Sequence, residues 1–181
     1  MTAYSKINEF NGTALVAQKG TVLLNKGYGY KNAAADEPNT ENTIFQIGSI
    51  TKQFTAAVIL KLAENKKLSL NDKISKYFTD LKLDKEITIA QLLSHTSGIY
   101  NYTNDADFMR TEAVKPANQQ KIFALFKNKK LDFEPGTQWS YSNSGYMLLG
   151  YIIEKVTKKP YEKVVRDYIF RPLKMNNSGF D

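Results

Sequence analysis

Strand-forming sequence is confined to the first thirty residues of this chain, and that limits the folds open to it. Residues 13–17 (Thr-Ala-Leu-Val-Ala) and 21–25 (Thr-Val-Leu-Leu-Asn) are short and rich in β-formers, with Gln18-Lys19-Gly20 between them. This pattern predicts a β-hairpin whose turn uses Gly20 at positive φ. Gly27-Tyr28-Gly29-Tyr30 extends the second strand. Residues 32–43 are polar, broken by Pro38, and read as a loop. No later run has strand character. A lone hairpin is only marginally stable in water and wants further strands, so the sheet that begins here reads as incomplete.

The remainder of the chain has a helical period. From about Ser49 to Asn65, the residues Phe54, Ala56, Ala57, Val58, Ile59, Leu60 and Leu62 surround the axis almost completely. That pattern predicts a helix buried on all sides. Shorter helices are expected at 72–78, 88–93 and 119–127, separated by a polar, Asn-rich surface loop over 100–118 with some helix. Leu149, Ile152, Ile153 and Val156 repeat at i, i+3, i+4, i+7 in a helix from about Ser144 to Lys158, which Lys158-Lys159-Pro160 stops. Tyr161, Val164, Val165, Tyr168 and Ile169 continue the period until Pro172. No internal repeat or low-complexity tract interrupts the 181 residues, a length that fits one domain with a sizeable core.

Composition removes several chemistries. The chain has no Cys, so disulfides, thiolate metal sites and a cysteine nucleophile are excluded. His95 is its only histidine, which excludes a His-rich metal site. Neither a metal nor another cofactor is expected. The net charge of +7 is carried almost wholly by lysine, the arginines being only Arg110, Arg166 and Arg171. Base readers depend on arginine, and the lysines are scattered, so nucleic acid is not an expected partner. A solvated basic surface is the simpler reading. No apolar run approaches the roughly 18 residues a membrane-spanning helix needs. The segment Met1-Thr2-Ala3-Tyr4-Ser5-Lys6 lacks the apolar core of a signal peptide.

Two short elements carry chemistry. Ser49 follows Gly48 and opens the apolar helix, and Lys52 lies three residues on, on the same helix face. An N-cap serine and a solvated lysine would explain the pair. Yet a cation in the first turn opposes the helix dipole, and apolar flanks disfavour the charged amine. Both push Lys52 toward a neutral base, while the dipole would stabilise an oxyanion forming on Ser49. A serine nucleophile with a lysine base is a workable arrangement. The second element, Tyr141-Ser142-Asn143, lies between Glu134-Pro135-Gly136 and the 144–158 helix. There Asn143 or Ser144 could simply cap the helix while Tyr141 packs. Beside Ser49 and Lys52, the Tyr141 phenolate could instead shuttle the serine proton and the Asn143 amide hold a substrate carbonyl.

Taken together these segments resemble one family. Phe45-Gln46-Ile47-Gly48-Ser49-Ile50-Thr51-Lys52-Gln53-Phe54-Thr55-Ala56 is similar to the nucleophile segment of the serine β-lactamase-related proteins, which include class C β-lactamases, DD-peptidases and family VIII-type esterases. Leu92-Leu93-Ser94-His95-Thr96-Ser97-Gly98-Ile99 resembles their LLxHTSG segment, and Phe133-Glu134-Pro135-Gly136 through Tyr146 their second motif. The resemblance runs over essentially the whole chain, in order. It implies an α+β fold, seen here in part: the N-terminal hairpin of a central antiparallel sheet (residues 1–48) and a mainly helical lobe (49–181), with later strands missing. It implies a serine hydrolase working through an acyl-enzyme on a β-lactam, a D-Ala peptide or a carboxylic ester. Ser49 would be acylated, with half of the oxyanion hole at its own N–H. Lys52 would accept its proton or tune its neighbour, Tyr141 would be the general base and acid, and Asn143 would bind the substrate carbonyl. His95 would shape a turn behind the site rather than join a Ser-His-Asp triad, and no G-x-S-x-G elbow is present.

The sequence also departs from the family. Its members are longer and carry a third motif, Lys or His, then Ser or Thr, then Gly, on a later strand, and no such tripeptide follows Asn143. The expectation is therefore the N-terminal part of a longer enzyme, truncated before that motif and inactive alone if the motif is essential. A bare strand edge should seek a partner strand, which predicts a domain-swapped dimer or a complementing C-terminal chain. A non-catalytic penicillin-binding or assembly module is the rival reading. By resemblance the protein would be periplasmic or at the cell surface.

Overall fold

A computed structural model describes residues 2–7, 9–81, 83–111, 113, 115 and 119–180. Parts of the expected 100–118 loop lie outside these residues. The chain forms two compact units, Met1–Ile47 and Gly48–Asp181.

The first unit opens with helix α1 (Thr2–Lys6) and then the expected hairpin, β1 (Gly12–Gln18) and β2 (Thr21–Tyr28). The strands pair antiparallel from Gly12↔Tyr28 to Gln18↔Thr21, with a bulge between Val16 and Ala17. Lys19 and Gly20 form the turn at φ 48° and 81°, the double positive φ of a type I′ turn, whose twist matches that of the strands. Gly29, at φ 68°, ends β2, so Tyr30 does not extend the second strand as expected but opens β3 (Tyr30–Asn32), which pairs with β4 (Glu37–Pro38) in a second, very short ladder. Buried Asn39, just after β4, ties this segment to the first hairpin by donating from Nδ2 to Asn11 Oδ1 at 2.8 Å and to the Tyr28 carbonyl at 2.9 Å. Among the described residues neither ladder gains a third strand.

The second unit is built around one helix. A 3₁₀ turn (Gly48–Ile50) leads into α2 (Thr51–Glu64). After it come α3 (Ile89–Leu93), α4 (Ala106–Thr111), α5 (Gln119–Phe126), α6 (Asn143–Thr157) and α7 (Tyr161–Val165). Helix α6 places Leu148, Leu149, Ile152 and Ile153 against α2, α3 and α7, and all four side chains are fully buried. Helix α2 contributes Val58, Ile59 and Leu62 to this core, and α3 contributes Ile89 and Leu92. The expected helix at 88–93 begins with a full capping box: Thr88 accepts from the Gln91 N–H, and Gln91 accepts from the Thr88 N–H. The 72–78 helix contracts to one 3₁₀ turn, Ile74–Lys76. Helix α7 runs into a π-type turn, Arg166–Phe170, instead of continuing regularly to Pro172.

One expectation fails here. Helix α2 is buried along one stripe, not all round: Leu60 is 51% exposed. The stripe of Thr55, Val58, Ile59 and Leu62 meets α6 and α7, and Leu60 falls off it. A helix apolar on every face can still have only one face covered by the described chain.

Between α3 and α6, residues 95–98 serve as a backbone template for the 132–140 segment. Asp132 N–H donates to the Gly98 carbonyl at 2.7 Å, Gly136 N–H to the Thr96 carbonyl at 2.8 Å, and Ser140 N–H to the His95 carbonyl at 2.9 Å. Gly98 has φ 70°, and a Cβ there would stand 2.1 Å from the Phe133 carbonyl oxygen, so only glycine fits.

The packing gives a graded prediction. Leu149→Ala, in the fully buried α6 stripe, should cost about 2–5 kcal/mol in urea-monitored unfolding. Leu60→Ala, on the open face of α2, should change stability by no more than about 0.5 kcal/mol.

Candidate active site

The two chemistry-bearing elements meet at the N-terminal ends of α2 and α6. Gly48, at φ 51°, turns the chain into the 3₁₀ turn that carries Ser49. Ser49 does not cap α2: the cap position is Ile50, with no side-chain cap bond. Its hydroxyl is not spent on the helix, and it lies 2.7 Å from the Tyr141 hydroxyl. Lys52, one helical turn on, donates from Nζ to Ser49 Oγ at 3.2 Å and to Asn143 Oδ1 at 2.8 Å. The same ammonium lies over the Tyr141 ring, 4.9 Å from its centroid, and 5.6 Å from that of Tyr146. All four sequence-selected residues, Ser49, Lys52, Tyr141 and Asn143, thus share one hydrogen-bonded cluster.

The cap of α6 decides how this cluster is presented. Neither Asn143 nor Ser144 caps the helix. Ser142 does, accepting from the Gly145 N–H at 3.3 Å and donating to the Ile99 carbonyl at 3.3 Å. That leaves Asn143 able to accept from Lys52, while its Nδ2 donates to Thr103 Oγ1 at 3.0 Å. Ser144 is fully buried and accepts from the Tyr102 N–H at 3.0 Å. Asn101 accepts from the Asn143 N–H at 3.0 Å. Sequence reasoning misses Asn101, Thr103 and this use of Ser144, because the Asn-rich stretch around them reads as a surface loop. The one signal there is Asn101-x-Thr103-Asn104, a run dense in side-chain acceptors for neighbouring N–H groups.

His95 forms no serine triad. Its Nδ1 accepts from the Ser142 N–H at 3.1 Å, and its ring lies against Tyr141 (centroids 4.7 Å apart) and Tyr146 (5.0 Å). Adjacent Ser94 bonds to the Ala90 carbonyl and to Thr96. A cavity of about 330 Å³ opens beside Lys52 and Asn143, walled by Thr55, Tyr102, Tyr146, Tyr151 and Tyr161.

The electrostatics favour an ionisable phenol. Burial pushes Tyr141 up, but hydrogen bonds from Lys52 and Ser49 and the Lys52 charge outweigh it, holding the phenol below the ordinary tyrosine value. Neighbouring Tyr102 and Tyr146 move the other way, raised by burial and then by the charge on Tyr141. The phenol in contact with the Ser49 hydroxyl is thus the one held below its ordinary value.

Comparison with known proteins agrees with this architecture. A family model described as Beta-lactamase matches residues 4–181. The chain belongs to the β-lactamase family. It is 35% identical over 177 residues to the putative penicillin-binding protein PbpX of Bacillus subtilis, covering 98% of this chain and 43% of that protein. A penicillin-binding protein structure from Bacillus halodurans superposes with a TM-score of 0.86 at 29% identity, covering 99% of this chain and 55% of the other. A D-amino acid amidase from Ochrobactrum anthropi, solved with L-phenylalanine amide, gives 0.82 at 29% identity, with 94% and 48% covered. The chain therefore spans about half the length of these relatives or less, and it carries the β-lactamase/DD-peptidase fold over that span. Two of these relatives are described as penicillin-binding proteins, one of them putative, and the third as an amidase.

The phenol can be tested directly. In ultraviolet-monitored alkaline titration, one tyrosine should ionise ahead of the rest and vanish in Tyr141→Phe. Lys52→Met, which removes the donor and the charge, should move it back up. An unchanged titration in Lys52→Met would refute this account of the shift.

Proposed function

We propose that this chain carries the acylation half of a serine hydrolase site, with Ser49 as nucleophile. The observation that carries the reading is the Ser49 Oγ–Tyr141 Oη contact of 2.7 Å, next to a lysine that donates to both Ser49 and Asn143. In the first step the Tyr141 phenolate takes the Ser49 proton as Oγ bonds to a substrate carbonyl carbon. Lys52 holds the phenol below its ordinary value and orients Ser49. The carbonyl oxygen becomes an oxyanion facing the Ser49 N–H, where one such donor is worth about 10²–10³ in rate. Tyr141 then gives the proton to the departing nitrogen or oxygen, leaving an ester on Ser49. Water, activated by the same phenolate, releases the acid. Asn143, held by Thr103 and Asn101, offers its amide to the substrate.

The substrate class is a β-lactam, a D-Ala peptide or a carboxylic ester. Kinship with penicillin-binding proteins and an amidase supports an amide-type carbonyl. No cofactor or metal enters these steps. The same kinship supports a periplasmic or cell-surface location.

The test is intact mass before and after incubation with a β-lactam and with an activated ester. A mass gain at Ser49 that is absent in Ser49→Ala is the expected result. No gain with either reagent, also after a chain supplying the remainder of the fold is added, would overturn the reading.

A second proposal concerns assembly. Leu15, Val16, Val22 and Leu23 are each about half exposed or more, on a hairpin with no third strand among the described residues. We propose that this hairpin pairs with further strands, from a second copy or from a complementing chain. Light scattering should show association beyond one chain, or association with the added complement. A monomer under both conditions would contradict it.

A further inference from the structure

His95 is the one histidine of the chain and takes no part in the proton transfers above. Its placement is nonetheless unusually constrained. It holds φ 59°, a conformation costly for a residue with a Cβ. From there it grips the Ser140–Ser142 segment at three points. Its carbonyl accepts from the Ser140 N–H at 2.9 Å, its Nδ1 accepts from the Ser142 N–H at 3.1 Å, and its ring faces the Tyr141 ring at 4.7 Å. One residue thus holds the backbone on both sides of Tyr141 and the ring between them. Tyr146 supports the imidazole from beyond, its centroid 5.0 Å away, with its own hydroxyl anchored on the Leu93 carbonyl at 3.0 Å.

We propose that His95 is the positioning residue of this site: its neutral imidazole keeps the Tyr141 hydroxyl on Ser49, and protonation of that imidazole releases it. The inference rests on the nucleophile reading above and adds the acid limb of the reaction's pH dependence. An Nδ1 that accepts from an amide must be unprotonated, so the neutral ring carries its hydrogen on Nε2. A second proton goes to Nδ1, setting two N–H groups face to face across 3.1 Å. The Ser142 amide then loses its acceptor, and the segment carrying Tyr141 loses one of its fastenings.

The rings of Tyr141, from the 132–142 segment, and Tyr146, from α6, face His95, and the Lys52 charge from α2 acts on it. Burial and then the Lys52 charge hold the imidazole below 6.5. For a histidine lowered on folding, the neutral form and its grip are fully present above 6.5 and are lost as pH falls through the lower, folded value.

Two substitutions separate the acceptor from the ring. In His95→Asn, Oδ1 lies the same number of bonds from the backbone as Nδ1, tolerates positive φ, and does not titrate. His95→Phe keeps a ring but no acceptor. The first measurement is nuclear magnetic resonance of the full chain against pH: the His95 ring and the Ser142 amide should shift with one midpoint, and the amide shift should vanish in His95→Asn. Fluorescence of the only tryptophan, Trp139, whose ring is 6.1 Å from His95, should follow the same midpoint. The second measurement is the rate of Ser49 acylation. His95→Phe should lose on the order of 10²-fold at neutral pH, as misplaced catalytic groups do, and His95→Asn should recover most of that and lack the acid limb. Independent midpoints for the ring and the amide, or an unchanged acid limb in His95→Asn, would overturn the proposal. Shared midpoints with no acylation in any form, also after a chain supplying the remainder of the fold is added, would overturn the nucleophile reading and leave the grip of His95 standing.

Discussion

The site depends on which residue caps α6. Ser142 takes that position, and the helix then starts between two functional side chains, with Tyr141 just outside it and Asn143 just inside. Had Asn143 been the cap, its amide would be spent on a helix N–H and Lys52 would lose its 2.8 Å acceptor. Ser142 is itself held twice, by the Ile99 carbonyl through its hydroxyl and by His95 through its amide. The register of α6, the direction of Tyr141 and the reach of Asn143 are therefore set by one serine and its neighbours.

Lys52 works in the same way on the α2 side. A cation in the first turn of a helix is opposed by the dipole, and the structure offsets this with partners. The ammonium has Ser49 and Asn143 as acceptors and two tyrosine rings beneath it. Its charge reappears as the lowered phenol of Tyr141. From sequence alone the unfavourable position of Lys52 points to a neutral amine. In the structure the lowered proton affinity falls on the Tyr141 phenol, through hydrogen bonds from Lys52 and Ser49.

Local signals are legible in the sequence and distant ones are not. The Ser49–Lys52 spacing, the Thr88–Gln91 capping box, the i, i+4 stripe of α6 and the Lys19-Gly20 turn each depend on residues a few positions apart. The partners of Asn143 and Ser144 on the 101–103 stretch lie some forty residues away, so no periodicity reveals them. The same holds for His95, which reaches Ser142 across 47 positions. The open face of α2 escapes the sequence for another reason. Apolar content says what a helix could bury, but only tertiary contacts say what covers it.

The hairpin has a colloidal consequence. Its strands carry Leu15, Val16, Val22, Leu23 and Leu24 on a ladder that has no third strand among the described residues, a template on which identical chains can stack. Lys19 at the turn and Lys26 in β2 flank that apolar run, and the +7 net charge repels one copy from the next. Such protection is electrostatic and decays within about 10 Å at 0.1 M ionic strength. Solubility of the isolated chain is then a property of the buffer as much as of the fold, falling as salt rises.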